Sequence, residues 1–300
     1  MLLNSATRLI QPLSLDDRFL STLRQSARWH IHSAFDNTVN LAAPNLPLLT
    51  LSNQKTDSLP LSLMTQNVNF SSLSTQIGQA VHHDEHALYL PHHDAFSLTA
   101  KPQSHSLAVA TDALDVAALS SALATLRATL KQQASPGSFV PSVGASAFEL
   151  GLSRCLHQQA QALQQTLRTA QAAPIDAAVL GLLGLGVGLT PSGDDYLVGV
   201  LAALRLNQSA APAAAALSAS ISRHAERQTN AISVQALSCA SQYYFKSSLI
   251  DLIHSLAQGQ TPAAVQHLSQ LLQTGSTSGT DIAYGVLDTL LLFTLAKDVP

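Results

Sequence analysis

The chain has 300 residues, of which 46% are hydrophobic and only 11% charged, and its formal net charge is −3. This composition suits one large or two modest globular domains with a sizeable buried core. The basic residues are scattered, so no basic stripe could neutralise a run of phosphates. Nucleic acid is therefore excluded as an expected partner.

The sequence predicts a cytoplasmic protein. Near the start, Arg8 and Asp16 interrupt any apolar run that a secretory leader would need. The most apolar stretch, residues 177–189, is too short to span a membrane, so no membrane association is expected. Cys155 and Cys239 lie in apolar helical patterns, where a free thiol behaves as a small hydrophobic group, as in a reducing compartment.

The predicted fold class is α+β, with a mostly β domain over residues 1–111 and a helical domain over residues 112–300. In the first domain, short extended segments alternate with turns rich in Pro and Asn. The expected strands cover residues 30–35, 48–51, 61–68, 86–90 and 106–110.

The second domain shows leucines at helical spacing, beginning after a predicted N-cap at Asp112. Pro and Gly residues mark the breaks between helices. The expected helices run from Asp112 to about residue 134, and over about 145–170, 175–183, 192–206, 212–226, 230–241, 246–257, 262–273 and 279–296.

The most informative segment is Gly184-Leu-Gly-Val-Gly-Leu-Thr-Pro-Ser-Gly-Asp-Asp195, which directly precedes an apolar helix face. Glycines permit positive φ angles and close approach of a ligand to the backbone, and the N–H groups at a helix N-terminus favour an anion. The segment, called here the glycine turn, therefore predicts a site for phosphate or a carboxylate. It matches neither the dinucleotide fingerprint nor a P-loop, so no nucleotide is implied.

The pattern S-G-x-D-x-x-x-G occurs twice, at Ser192–Gly199 and at Ser278–Gly285. Ser-x-x-Asp before an apolar run resembles a capping box, in which Asp195 and Asp281 would satisfy their own helix ends. Ligand binding by these carboxylates is the alternative, and both interpretations stay open. Asp194 lies beside the predicted cap, where a carboxylate can hold Mg²⁺ or a substrate N–H.

The glycine turn with its following Asp pair, the segment Thr229-Asn-Ala-Ile-Ser233 and the second motif Ser278-Gly-x-Asp281 resemble the bacterial family of the oxamate carbamoyltransferase subunit AllH. The run from His32-Ser-Ala-Phe35 through Asn40-Leu41 is similar to the family's opening β segment, so the resemblance extends from about residue 30 onward. It implies a subunit of a multi-protein enzyme of anaerobic allantoin breakdown. That enzyme moves the carbamoyl group of oxalurate to phosphate. The resemblance thus implies that other carbamoyltransferase subunits are partners of this chain.

Under this hypothesis, the two helix N-termini hold a small anionic substrate and stabilise the oxyanion on the carbamoyl carbon. The expected substrate-binding residues are Gly186, Gly188, Thr190, Ser192, Gly193, Thr229, Ser233, Ser278 and Gly279. The expected catalytic residues are Asp194, Asp195 and Asp281, which would orient the urea-like nitrogens or bind Mg²⁺. Asp194 and Asp195 are the expected Mg²⁺ ligands.

Two other functions stay open. The chain could be a non-catalytic assembly subunit, with the active site on a partner, or a stand-alone Mg²⁺-dependent enzyme acting on another small anion. No local motif supports a Ser/His/Asp or Cys/His nucleophile.

A histidine-rich segment, His82 to His93, is a weaker metal candidate. His82, Asp84 and His86 would share one face of an extended chain, as metal ligands do. Solvated loop residues are the alternative interpretation.

Overall fold

The computed structural model describes residues 8–53, 57–66, 68–92, 94–99, 102–107, 116–169 and 171–295. The chain divides into a strand-rich N-terminal unit that ends at His105 and a helical unit that begins at Ser106. The α+β class is therefore confirmed. The expected boundary near residue 111 and the expected N-cap Asp112 lie outside the described residues.

The described part of the N-terminal unit forms a sheet in the order β1-β9-β8-β7-β3-β4-β5-β6-β2-β10. A short helix, α1 (Phe19–Leu23), lies between β2 and β3 in the chain. The strands are β1 Leu9–Ile10, β2 Pro12–Asp16, β3 Trp29–Ala34, β4 Thr38–Ala42, β5 Leu49–Asn53, β6 Ser62–Thr65, β7 Ala80–His83, β8 Ala87–Tyr89, β9 Ala95–Ser97 and β10 Pro102–Gln103.

The core of this unit follows from the period of two along its strands. In β3, Trp29 and Ile31 are buried while His30 is only half-buried, because successive side chains point to opposite faces of a sheet. The Trp29 indole N–H donates to the carbonyl oxygen of Leu23 at 2.9 Å, which satisfies a buried donor and fixes the end of α1 beside β3.

Four of the expected strands are confirmed as β3, β5, β6 and β8. In the fifth, residues 106–110, Ser106 forms an isolated bridge with Tyr244, and residues 108–110 lie outside the described part of the chain. The strands β1, β2, β4, β7, β9 and β10 and the helix α1 were not predicted from the residue pattern, although the family resemblance placed Asn40 and Leu41 of β4 in a β segment.

In the helical unit, every expected helix is present, and the described ends differ from the expected ones by at most a few residues. No helix in the described ranges combines the length and apolarity needed to cross a bilayer. The helices are α2 Val116–Gln133, α3 Ala147–Leu167, α4 Ala172–Leu182, α5 Ser192–Leu204, α6 Ala211–Gln228, α7 Ala231–Ser241, α8 Ser247–Ala257, α9 Thr261–Leu272 and α10 Ser278–Leu295.

Helix α5 lies at the centre of this unit, and all its residues are buried. It packs closely along α10, and two glycines set the distance between them. A Cβ atom at Gly199 would overlap the carbonyl oxygen of Ile282, and one at Gly285 would overlap that of Tyr196. The last glycine of each S-G-x-D-x-x-x-G copy therefore contacts the helix that the other copy begins.

Candidate functional site

The glycine turn has a backbone shape that requires glycine. Gly184, Gly186 and Gly188 have φ angles of +72°, +139° and +96°, which other residues rarely adopt. A side chain at Gly184 would also overlap the carbonyl oxygen of Gln228, and one at Gly186 the backbone nitrogen of Ser192. The turn thus folds back onto the start of α5 and the end of α6.

Asp194 links the glycine turn to the residue that follows α6 through two hydrogen bonds. Its Oδ1 accepts a hydrogen bond from the N–H of Gly184 at 2.8 Å, and its Oδ2 accepts one from the hydroxyl of Thr229 at 2.5 Å. Burial raises the pKa of Asp194, and the hydrogen bonds from Thr229 and Gly184 partly offset that rise. Both carboxylate oxygens are therefore engaged within the chain.

The segment after α6 contacts the same turn. Thr229 is the C-cap of α6, while Asn230 is the N-cap of α7 and accepts bonds from the N–H groups of Ile232 and Ser233. The Asn230 amide also donates to the carbonyl oxygen of Leu189 at 2.9 Å. The cap of this helix start is therefore Asn230, directly after Thr229.

The two copies of the S-G-x-D-x-x-x-G motif meet at the starts of α5 and α10. There the serine of each copy hydrogen-bonds to the aspartate of the other. The hydroxyl of Ser278 hydrogen-bonds to Asp195, and that of Ser192 to Asp281. Thr190 bonds to Asp195 as well, and its Oγ1 lies 2.7 Å from the hydroxyl oxygen of Ser278. We call Asp195, Asp281, Ser192, Ser278 and Thr190 the paired-aspartate site.

The capping-box interpretation of the first copy is wrong. Pro191 is the N-cap of α5, no side chain caps that end, and Ser192 is already the first helical residue. The hydroxyl of Ser192 therefore serves the opposite helix.

Both carboxylates of the paired-aspartate site are buried, Asp195 with 5% and Asp281 with 0% of its surface exposed. The Oδ2 atom of each has no hydrogen-bond partner among the described residues. An unsatisfied buried acceptor is costly, and few occur in native proteins. These two oxygens are therefore the strongest candidates in the site for accepting hydrogen bonds from a ligand.

Burial and charge determine how Asp195 titrates. Burial raises its pKa to about 7, the negative charge of Asp281 adds to the rise, and Lys246, Ser278 and Thr190 oppose it. Burial also raises the pKa of Asp281, against hydrogen bonds from Ser138, Ser192, Thr277 and the backbone of Phe139. At neutral pH Asp195 is therefore divided between its protonated and charged forms.

Two of the expected anion-binding glycines have packing roles. A Cβ at Gly193 would overlap the carbonyl oxygen of Leu182 at the end of α4, and one at Gly279 that of Leu271 in α9. Their N–H groups donate to carbonyl oxygens within their own turns, Gly193 to Leu185 and Gly279 to Thr274. Both glycines thus allow a helix start to lie against the preceding helix.

The expected Mg²⁺ ligands do not converge. Asp194 is directed to Gly184 and Thr229, whereas Asp195 is directed to Thr190 and Ser278. Among the described residues, no group of three or more His, Cys, Asp or Glu side chains is placed to hold a metal ion. A resident Mg²⁺ shared by Asp194 and Asp195 does not fit this donor set.

The histidine-rich segment covers the end of β7, the turn at residues 84–86, β8 and the residues that follow β8. Asp84 accepts bonds from the N–H groups of His86 and Ala87 and from the hydroxyl of Tyr89, all at 2.8 Å. These bonds lower its pKa. Asp84 therefore closes a turn in the structure, and His93 lies outside the described residues.

Sequence reasoning missed three side chains at the paired-aspartate site, Lys246, Ser138 and Thr277. Lys246 is the N-cap residue of α8 and Ser138 lies between α2 and α3, so both are remote from the two motifs in sequence. No local pattern marks either residue. Thr277 directly precedes the second motif, and a hydroxyl next to a helix start is a signal that could have been used.

Comparison with known protein families agrees with the two-part organisation. The sequence model of the oxamate carbamoyltransferase subunit AllH matches residues 182–290, which include the glycine turn and both S-G-x-D motifs. The model of the AllH family N-terminal domain matches residues 11–104. No solved structure matches the chain. Because the two matches cover most of the sequence, the chain belongs to the family of the oxamate carbamoyltransferase subunit AllH.

Proposed function

We propose that this chain binds the carbamoyl substrate of a carbamoyltransferase, and that the enzyme moves a carbamoyl group between oxalurate and phosphate in anaerobic allantoin breakdown. The observation that carries the proposal is the pair of buried Oδ2 atoms of Asp195 and Asp281 at two adjoining helix starts, which have no hydrogen-bond partner in the part of the chain that the structure describes. Cys155 and Cys239 form no disulfide in the described structure, which agrees with a cytoplasmic location.

A carbamoyl group suits these oxygens. Its NH₂ and the adjoining amide N–H of oxalurate are hydrogen-bond donors, and carboxylate oxygens accept such bonds. Phosphate and the carboxylate of oxalurate bring negative charge, which Lys246 and the N-termini of α5 and α10 favour. The site thus offers acceptors for the nitrogen side of the substrate and positive potential for its anionic side.

The chemistry requires one proton to reach the leaving nitrogen. When a phosphate oxygen bonds to the carbamoyl carbon, the bond between that carbon and the inner nitrogen of oxalurate breaks. This nitrogen takes up the proton and becomes the amide NH₂ of the departing oxamate. Asp195, with a pKa of about 7, carries a proton in part of the molecules at neutral pH and can donate it to that nitrogen. Asp281 accepts the NH₂ hydrogens, and Asp194 positions the turn.

Calorimetric titration of the purified chain with oxalurate, oxamate, carbamoyl phosphate and phosphate tests this proposal. We expect oxalurate binding that weakens at least tenfold in Asp281→Asn. The matched control is Asp251→Asn, an exposed aspartate of α8, which should bind as wild type does. Each titration is run with and without Mg²⁺, since the expectation of a metal is separate from that of substrate binding. Wild-type affinity in Asp281→Asn contradicts the proposal.

An assembly role is the second candidate, and exposed apolar residues favour it. Val187 and Leu189, at the tip of the glycine turn, are 56% and 52% exposed. A contiguous exposed apolar patch marks a contact with another protein, and these two neighbouring side chains would form the centre of such a patch. Co-purification with the other carbamoyltransferase subunits should therefore fall in Val187→Ser/Leu189→Ser. If the wild-type chain binds no substrate but assembles, the assembly role replaces the first proposal.

A further inference from the structure

Three side chains of the kinds that act together in nucleophilic catalysis lie next to one another in the N-terminal unit: Asp16, Ser58 and His105. The Nδ1 of His105 is 2.8 Å from Oδ2 of Asp16, and its Nε2 is 2.9 Å from Oγ of Ser58. His105 lies 47 positions from Ser58 and 89 from Asp16 in the sequence. That separation explains why no local motif indicates the cluster.

The order of strands brings the three residues together. Asp16 ends β2, which lies between β6 and β10 in the sheet. On one side, Gln103 of β10 is opposite Asp16, so His105 follows two residues later. On the other side, β6 runs antiparallel to β2, and Ser58 lies in the segment that enters β6. The sheet therefore fixes Asp16 and brings the segments that carry Ser58 and His105 to the same end of β2.

The hydrogen bonds define which tautomer a neutral His105 ring adopts. A carboxylate only accepts, so Nδ1 carries the hydrogen that is donated to Asp16. In the neutral ring, Nε2 then has a free lone pair and accepts the hydroxyl hydrogen of Ser58. This is the arrangement in which a histidine can remove a proton from a serine as that serine attacks.

Burial holds the base in place and leaves the serine accessible. Asp16 and His105 are each 1% exposed, and the Asp16 Oδ1 also accepts the N–H of Arg18 at 3.0 Å. Ser58 is only half-buried. Its Oγ lies 3.5 Å from the hydroxyl oxygen of Ser14, a second hydroxyl that does not contact the histidine in the described structure.

We propose that Ser58 is a nucleophile toward small activated esters, with His105 as its general base and Asp16 as the positioning residue. The Ser58 Oγ bonds to the acyl carbon, and its proton passes to Nε2 of His105. That proton then goes to the leaving alcohol oxygen as the ester C–O bond breaks. Water attacks the acyl-serine, its proton passes through His105 back to Oγ, and the carboxylic acid leaves. The proposal rests on the N-terminal unit alone and is independent of carbamoyl transfer.

The first experiment treats the folded full-length chain with a fluorophosphonate probe, which reacts with activated serines, and locates the modified residue by peptide mass spectrometry. We expect modification at Ser58 and none at Ser14. A folded wild-type chain without modification at Ser58 overturns the proposal, and the cluster is then polar packing.

Variants separate activation from exposure. Asp16→Asn keeps the shape of the side chain and removes its charge, and His105→Gln removes the base. We expect the rate of Ser58 modification to fall at least about 100-fold in His105→Gln and substantially in Asp16→Asn. Ser14→Ala, the matched control, should retain the wild-type rate. Circular dichroism checks the fold of each variant. Equal rates in wild type and in folded His105→Gln overturn the proposal even if Ser58 reacts.

Discussion

Ser278, the first residue of α10, donates its hydroxyl to Asp195 in the first turn of α5, while Ser192 of α5 serves Asp281 of α10. The repeated motif therefore forms one site from two halves. In each half, the aspartate lies in the first turn of its own helix, and the serine hydroxyl hydrogen-bonds to the aspartate of the opposite helix. The glycines at the ends of the motifs bring the helices close enough for this exchange.

The stability of the chain should depend on pH through Asp195. Its pKa in the folded chain is raised from 3.8 to about 7, so the protonated form is favoured by folding. The contribution to stability is complete below about pH 4 and is lost as the pH rises through about 7. The loss is on the order of 4 kcal/mol.

Urea unfolding of wild type and Asp195→Asn between pH 4 and pH 8 measures this effect. The uncharged Asn has no such titration, so the variant should gain stability relative to wild type as the pH rises. A constant difference across that range contradicts the assignment of the raised pKa to Asp195.

Gly199→Ala should destabilise the helical unit by about 3 kcal/mol, since the new Cβ would overlap the backbone of α10 at Ile282 and force α5 and α10 apart. Gly151→Ala is the matched control. Gly151 also lies within a helix, but its Cβ would have no atom within 4 Å. That variant should gain roughly 0.5–1 kcal/mol from the better helix propensity of Ala. Thermal and urea unfolding report both values, and equal stabilities contradict the close contact.

Thr229→Val should cost about 1–3 kcal/mol, because it removes the hydroxyl that donates to buried Asp194. Thr229→Ser keeps the hydroxyl and should lose much less. The free energy of unfolding in urea distinguishes the two variants. If Val and Ser at this position are equally stable, the hydrogen bond to Asp194 is not what holds the glycine turn.

Lys246→Met should raise the pKa of Asp195 further above about 7, since the positive charge of Lys246 favours the carboxylate form. Lys246→Arg preserves the charge and should leave the pKa near its wild-type value. Carbon-13 NMR of the aspartate carboxyl groups follows the titration, with Asp195→Asn identifying the signal. An unchanged pKa in Lys246→Met would mean that Lys246 does not act on the site.

The helices were predictable because their leucines recur at helical spacing over many turns. The missed strands lack a comparable signal. β1 and β10 have two residues each, and β4 reads Thr-Val-Asn-Leu-Ala, with Asn40 buried by hydrogen bonds to Ser33 and Thr50. β4 alternates between polar and apolar residues, but only over five residues, which is a much shorter pattern than the helices offer. Its burial depends on partners that only the folded sheet supplies.

The candidate site was predictable in part. The repeated motif indicated Asp195 and Asp281, but its Ser-x-x-Asp spacing also fits a local capping box, and spacing alone cannot reveal that the serine serves another helix. Lys246 approaches Asp195 only through the packing of α5 with α8. Long-range contacts of this kind produce no periodic residue pattern in a single sequence.

The hydrogen bonds between serines and aspartates of α5 and α10 also determine which backbone amides a bound ligand would protect from hydrogen exchange. The residues of the paired-aspartate site lie far apart in the second half of the chain, and Thr190 and Ser278, 88 residues apart, illustrate this separation. Local fraying of either helix start would destroy the site, so occupancy favours only molecules in which both helices are docked. A ligand held there should therefore slow amide hydrogen exchange throughout the α5–α10 pair, and not only in the glycine turn.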